Sequence, residues 1–158
     1  MTNNNFVGTW KLIYWESKTP KGKIYHPFGK NTIGYITYTE YQHMSATIMK
    51  ENRPNIEIPP EELIKARQVL LKPWLLINGW KYIKGIFRYL QASTNYISYS
   101  GKYEIKGNKV VHHVEVSLIP DWTGTDLERT FEFSSDSRLV LSTPDQDGNH
   151  HYLTWERI

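Results

Sequence analysis

Short segments in which apolar and polar side chains alternate make up most of this 158-residue chain. The clearest runs from Asn95 to Ile105, where Ile97, Tyr99 and Tyr103 share one parity and the charged residues share the other. Strict alternation places the apolar residues on one face of a β-strand. A chain built mainly from such segments buries its apolar faces by closing or stacking sheets, so the sequence predicts an all-β fold.

Turn residues separate these segments and set their number. Gly107-Asn108, for example, is typical of a tight turn between antiparallel strands. The other predicted strands are Phe6–Glu16, Ile33–Thr39, Gln42–Met49, Lys109–Ile119, Leu127–Phe133, Arg138–Thr143 and His150–Arg157. A closed antiparallel β-barrel of about eight strands follows, whose interior is filled by side chains or holds one small ligand.

The segment from about residue 60 to 91 breaks the alternation and predicts a helical insertion between the two blocks of strands. Pro59-Pro60-Glu61-Glu62 has the prolines and acidic residues of a helix start. Apolar residues, including Trp80 and Phe87, then recur at helical spacing beside a basic stripe. We interpret the insertion as a helix packed on the barrel. A lid over the barrel mouth, or a surface that touches a membrane or a partner, is the alternative. One domain over residues 1–158 is expected.

Composition narrows the classes of function. The absence of cysteine excludes disulfides and thiolate chemistry. The net charge is +3, but the basic residues are scattered, so no nucleic-acid partner is expected. The longest apolar stretch, Trp74–Ile77, is far shorter than the roughly 20 residues of a membrane span. Met1–Asn5 lacks the features of a secretory signal, which predicts a cytoplasmic location.

Two motifs near the ends of the chain carry a family resemblance. Gly8-Thr9-Trp10 opens the first strand, and Thr154-Trp155-Glu156-Arg157 lies on the last. Together they resemble the Gly-x-Trp motif and the last-strand arginine of calycins. Further stretches resemble the bacterial and fungal lipocalin-like domain family, namely Tyr25–Gly29, Gly34–Thr39, Tyr99–Glu104, Val111–Ser117, and Pro120–Gly124 with Arg129.

This resemblance covers nearly the whole chain except about residues 52–92. It implies that the Arg157 guanidinium covers Trp10 and closes one end of the barrel through a cation–π contact. The opposite end is then expected to be the mouth. The resemblance implies no single activity, so function must be argued from the residues.

The predicted strand Lys109–Ile119 offers two rival faces. One holds His112 among valines and points inward if apolar content decides, which leaves His113 and Glu115 in solvent. The alternative turns His113 and Glu115 into the cavity, where the carboxylate would raise the basicity of the imidazole for proton abstraction. A single β-bulge exchanges the two faces, so both histidines remain candidates.

Arg129 shares its parity with Leu127 and Phe131, which predicts a guanidinium among apolar side chains. A buried arginine needs a carboxylate or an anionic ligand. One interpretation is a salt bridge to Glu115 or Glu104. The other is an anchor for a ligand carboxylate or enolate, because the planar guanidinium pairs well with two oxygens.

Neither a metal nor a cofactor is expected. No phosphate-binding glycine loop, nucleophile elbow or His-Glu-x-x-His motif is present. The doublets His112-His113 and His150-His151 lack a recognisable ligand spacing, and the second doublet is expected to be exposed.

Two functions remain open. The first is binding of a small, largely apolar molecule with a polar head inside the barrel. The second is a cofactor-free cyclase or isomerase that uses His112, His113, Glu115 and Arg129. The oligomeric state is left open. The residues predicted to line the ligand site are Tyr35, His43, Tyr99, Tyr103, Trp80, Phe87, Trp122 and Phe131.

Overall fold

The computed structural model describes residues 5–59, 61–62 and 80–158. The strands in these ranges are β1 (Gly8–Lys18), β2 (Ile24–Tyr25), β3 (Thr32–Tyr38), β4 (His43–Lys50), β5 (Tyr96–Lys106), β6 (Lys109–Ser117), β7 (Asp126–Ser135), β8 (Arg138–Pro144) and β9 (His150–Arg157). Helix α1 covers Trp80–Thr94, and Pro120–Trp122 forms one turn of 3-10 helix. The chain divides into two compact units, with Asn52–Tyr96 forming the second.

The first unit is a closed antiparallel barrel. From β3 to β9, each strand neighbours the next one along the chain, and β1 pairs with both β3 and β9. Eight strands therefore complete the ring, while the two-residue β2 adds to the end of β1 through Ser17 opposite Tyr25. This closure confirms the predicted fold class.

Arg157 and Trp10 close one end of the barrel, as predicted. The guanidinium carbon lies 4.2 Å from the centroid of the Trp10 ring. The same guanidinium donates to the backbone oxygens of Val7 at 2.5 Å and Asn5 at 2.6 Å. Trp10 donates its indole N–H to the Phe6 oxygen at 2.8 Å. These contacts fix the first residues of β1 against the end of β9.

Gly8 makes this closure possible. Its φ of +134° lies in a region that L side chains rarely adopt. A Cβ at this position would also lie 2.8 Å from the Arg157 Nη1. The glycine of the Gly-x-Trp motif therefore leaves room for the arginine.

A β-bulge interrupts the β5–β6 pairing. Gly101 pairs with Val114 and Ser100 with Val116, so Glu115 is the extra residue on β6. Because the bulge exchanges the two faces of the strand, Val116 is 66% exposed. The apolar face that holds His112 continues by alternation to Val116 and Leu118, but beyond the bulge its predicted inward position is wrong, because both residues are exposed.

The second unit contains helix α1. The helix extends past the predicted boundary near residue 91 to Thr94, and the hydroxyls of Ser93 and Thr94 donate to backbone oxygens one turn earlier. Arg88 pairs with the carboxylate of Glu57. None of the described helices is long and apolar enough to cross a membrane. The predicted first part of the insertion falls on residues 63–79, outside the described residues.

Candidate functional site

The barrel encloses a cavity of about 590 Å³. This volume lies within the range of about 300–1,000 Å³ that is usual for small-molecule sites. The cavity occupies the end of the barrel opposite the Trp10–Arg157 contact. His151, which lines the cavity, pairs with Ser17 near the end of β1, whereas Arg157 pairs with Trp10 near its start. Its lining residues are Trp15, Ile36, Ala46, Ile48, Ile97, Tyr99, Trp122, Leu127, Arg129, Leu141, Thr143, Pro144, Asp145, Gln146, His151, Leu153 and Trp155.

Four of the predicted ligand-lining residues divide between the cavity and the core. Tyr99 and Trp122 line the cavity, with their rings edge-to-face at 5.7 Å. Tyr103 and Phe131 instead pack around Phe6 near the closed end, at ring distances of 6.4 and 4.8 Å. Tyr103 therefore belongs to the buried apolar cluster that contains Phe6 and Trp10, Phe131 packs against that cluster, and neither belongs to the cavity lining.

The other four predicted lining residues do not join them in the barrel cavity. Tyr35 is exposed because β3 directs its neighbour Ile36 inward. His43 is exposed at the first residue of β4. Phe87, on α1, is 70% exposed. The side chain of Trp80 lies outside the described part of the chain.

His112 points into the barrel and is fully buried between two tyrosines. Its Nε2 lies 2.8 Å from the Tyr38 hydroxyl, and its Nδ1 lies 3.1 Å from the Tyr99 hydroxyl. Burial lowers the pKa of His112 to about 3, and the nearby charge of Arg129 acts in the same direction. The imidazole is therefore neutral, and Tyr99 separates it from the cavity.

Arg129 is half-buried; it lines the cavity wall and also borders a surface groove beside Asp126 and Glu128. It donates to the backbone oxygen of Glu128 at 2.8 Å. Burial raises the pKa of Tyr99, and the nearby guanidinium of Arg129 acts against that rise. Among the described residues, Arg129 forms no ion pair. Glu104, one of its two predicted partners, instead pairs with Lys106 and His113.

His113 lies on the outer surface of the barrel. Its Nδ1 lies 2.6 Å from a carboxylate oxygen of Asp126, and its Nε2 lies 3.0 Å from one of Glu104. The hydrogen bond to Asp126 raises the pKa of His113 above its ordinary value, and Glu104 adds to this effect. Glu115 is exposed at the bulge. The structure therefore brings His112 and Arg129 together inside, and places His113 and Glu115 outside.

His151 lies at the cavity mouth and is half-buried, whereas the sequence predicts that both histidines of the His150-His151 doublet are exposed. Its Nδ1 lies 2.6 Å from the Ser17 hydroxyl, and its Nε2 lies 3.2 Å from a carboxylate oxygen of Asp145. Ser17 is fully buried. One signal for this position exists in the sequence, because His151 shares its parity with the inward-facing Leu153 and Trp155.

The fold and the cavity define a small closed antiparallel β-barrel with an internal cavity. The chain belongs to the lipocalin-like domain family, whose pattern matches residues 7–71 and 88–158. The match extends further into the insertion than the motifs predicted, and it leaves out residues 72–87.

One curated relative and several solved structures are similar to the chain. The relative is the 4′-hydroxy-3′-methoxypropiophenone carrier protein of Aspergillus oryzae, which is 29% identical over 97 residues, covering 51% of this chain and 85% of the relative. A redesigned β-barrel has a TM-score of 0.44 at 11% identity and covers 98% of this chain and 93% of its own. A designed fluorescence-activating β-barrel has the same score and identity and covers all of both chains.

Proposed function

We propose that this protein binds and carries a small, largely apolar molecule whose polar head lies at Tyr99 and Arg129. The observation that carries the proposal is the cavity itself. Aliphatic and aromatic side chains form most of its wall, and a few polar groups interrupt them at defined positions. Such a lining provides affinity through apolar burial and orientation through a small number of hydrogen bonds.

The similarity to a carrier protein supports this proposal. The ligand in that relative's name is a small aromatic ketone, which combines an apolar ring with oxygen acceptors. A molecule of this class fits within the cavity and matches its balance of apolar and polar groups. We therefore expect a ligand with one or two rings, or an aliphatic chain of similar volume.

A cofactor-free cyclase or isomerase is the second candidate, because Tyr99 and Arg129 line the cavity wall and His112 contacts the Tyr99 hydroxyl from behind. Two features make it the weaker one. A general base acts best with a pKa near the working pH, whereas the pKa of His112 is about 3. His112 also reaches the cavity only through the hydroxyl of Tyr99. Carriage without turnover is the simpler use of these groups.

Nile red, an uncharged planar fluorophore, tests whether the cavity accepts an apolar ligand. We expect its emission to rise and shift to the blue in the presence of the wild-type protein. Ala46→Phe places a ring in the cavity and should abolish that signal, since Ala46 is buried and lines the wall. The matched control is Ser45→Phe, because the neighbouring side chain is exposed on the outside of β4.

Circular dichroism and urea unfolding establish that both variants are folded. Leu141→Trp, which fills the cavity from β8, replaces Ala46→Phe if that variant does not fold. Equal Nile red signals from the filled and the control variants would place the dye elsewhere and refute the proposal.

Native mass spectrometry of the freshly purified protein separates carriage from catalysis. We expect a retained small molecule that is recovered unchanged after incubation. Conversion of that molecule by the wild type, together with its loss in Tyr99→Phe, would instead support the enzyme.

A further inference from the structure

Two polar side chains that face the cavity, Tyr99 on β5 and Arg129 on β7, are hydrogen-bond donors. Arg129 has five N–H groups, and the structure assigns one acceptor, the Glu128 oxygen, to its Nη1. Its positive charge has no carboxylate partner among the described residues. A charge in this position is stable only if water or a ligand with negative character solvates it.

The hydrogen bonds around His112 determine what Tyr99 offers. Tyr38 is 1% exposed, and its hydroxyl contacts His112 Nε2 at 2.8 Å. No other acceptor for its proton appears in the described residues, so Tyr38 donates to Nε2. A neutral imidazole then carries its proton on Nδ1 and donates it to the Tyr99 oxygen. The Tyr99 proton is left free to point into the cavity.

Asp145, the carboxylate at the mouth, does not offset these donors. The backbone N–H groups of Asp147 and Asn149 donate to its Oδ1 at 2.9 Å each. The Asn149 side chain and His151 occupy Oδ2 at 2.8 and 3.2 Å. These four contacts, three from its own turn and one from His151 on β9, occupy both oxygens of the carboxylate.

From this arrangement we infer that the cavity binds its ligand as an organic anion, an apolar and preferably aromatic molecule whose carboxylate, phenolate or enolate oxygen is held by Arg129 and Tyr99. The inference rests on the proposed function, since it specifies the polar head of the same ligand. The guanidinium provides the counter-charge and a pair of N–H donors, and the tyrosine adds a third donor.

Cinnamate and benzylideneacetone test this inference, because they share one skeleton and differ in carrying a carboxylate or a neutral methyl ketone. Isothermal titration calorimetry should show that the wild type binds cinnamate about 10- to 100-fold more tightly, the range expected for a charged hydrogen bond. Arg129→Met should remove this preference. Tyr99→Phe should weaken cinnamate binding by a smaller factor.

Arg138→Met is the matched control, because it removes the same charge from an exposed position that pairs with Glu156. It should leave the preference for cinnamate unchanged. Arg129→Lys keeps the charge without the paired donors and should retain part of the preference. It also serves if Arg129→Met does not fold.

The outcomes separate the inference from the function on which it rests. Equal binding of both probes, unaffected by Arg129→Met, would overturn the anion site and leave an apolar carrier. Failure of both probes and of Nile red to bind would overturn the carrier as well.

Discussion

Arg157 makes four interactions at the closed end of the barrel. Besides its contact with the Trp10 ring, it donates to three backbone oxygens, those of Asn5, Val7 and Asp136. The contacts with Asn5, Val7 and Trp10 join segments at opposite ends of the sequence, so the Arg157 side chain links the first strand to the last. A single residue thereby completes a closure that the backbone pairing of β1 with β9 begins.

Replacing this residue should destabilise the barrel markedly. We expect Arg157→Met to lower the free energy of unfolding by about 3 kcal/mol, because a cation–π contact and charged hydrogen bonds are lost together. Urea unfolding followed by tryptophan fluorescence measures the change. Arg138→Met, which removes an exposed ion pair, should cost less than about 1 kcal/mol. Equal losses in both variants would show that Arg157 is not a fastening residue.

The buried His112 makes the stability of the protein depend on pH. Its pKa is about 3 in the folded state, against an ordinary value of 6.5. Below pH 6.5 the unfolded chain takes up a proton that the folded protein does not, so stability is lost as the pH falls. We expect a loss of up to about 1.4 kcal/mol per pH unit between pH 6.5 and 5, above the range in which carboxylates titrate.

A pair of variants isolates this effect. His112→Gln should be less stable at pH 7 and should lack the histidine-dependent slope between pH 6.5 and 5. His113→Gln should keep the slope. The raised pKa of His113 has the opposite effect on the pH dependence of stability, because the stabilisation it provides is complete at low pH and is lost as the pH rises through that pKa. An unchanged slope in His112→Gln would contradict the assignment.

At the scale of secondary structure, the bulge between β5 and β6 decides which side chains of β6 point into the barrel. Gly101 lies at this bulge, and a Cβ there would collide with the backbone oxygen of His113. The extra residue, Glu115, shifts the alternation of β6 at this point. His112 therefore lies inside, whereas Val116 lies outside.

Gly101→Ala tests the importance of this close approach. We expect it to cost about 3 kcal/mol, because the added methyl group must displace backbone rather than a flexible side chain. Gly107→Ala is the control, since that glycine has a φ of +62° but open space around its Cβ position. The control should cost about 1 kcal/mol from backbone conformation alone. Thermal unfolding ranks the two, and a smaller loss for Gly101→Ala would refute the steric argument.

At the scale of the whole molecule, the barrel contains its own core. The buried apolar cluster around Trp10, Tyr103 and Trp155 draws its residues from the barrel unit, and residues 52–96 contribute none of its described members. The two strands that flank the insertion in the chain, β4 and β5, are neighbours in the sheet. A short linker can therefore replace the insertion without stretching the barrel.

We expect a chain in which a glycine-serine linker replaces residues 53–95 to fold cooperatively and to bind Nile red. Near-ultraviolet circular dichroism and urea unfolding measure the fold, and the intact chain is the reference. Loss of cooperative unfolding in the shortened chain would show that the insertion belongs to the folding unit, as expected of a single domain over residues 1–158.

Much of the fold follows from local pattern. The alternation in β5 and β9, together with turn residues such as Gly107, predicts strands that pair with their sequence neighbours. Helix α1 is predicted in part, but its end at Thr94 depends on hydroxyl contacts that apolar spacing does not encode. The site is harder to predict, because its partners come from different strands and a single bulge changes which of them face inward.

The sequence by itself determined the closed barrel, since alternating strands separated by turns must bury their apolar faces, and its resemblance to calycins implied the contact of Trp10 with Arg157. Only the tertiary structure decided that Tyr38, Tyr99 and His112 meet, that Arg129 has no carboxylate partner among the described residues, and that Ser17 reaches His151. Up to 134 residues separate the members of these contacts. Their meeting depends on strand register and on the bulge at Gly101, which no local periodicity records.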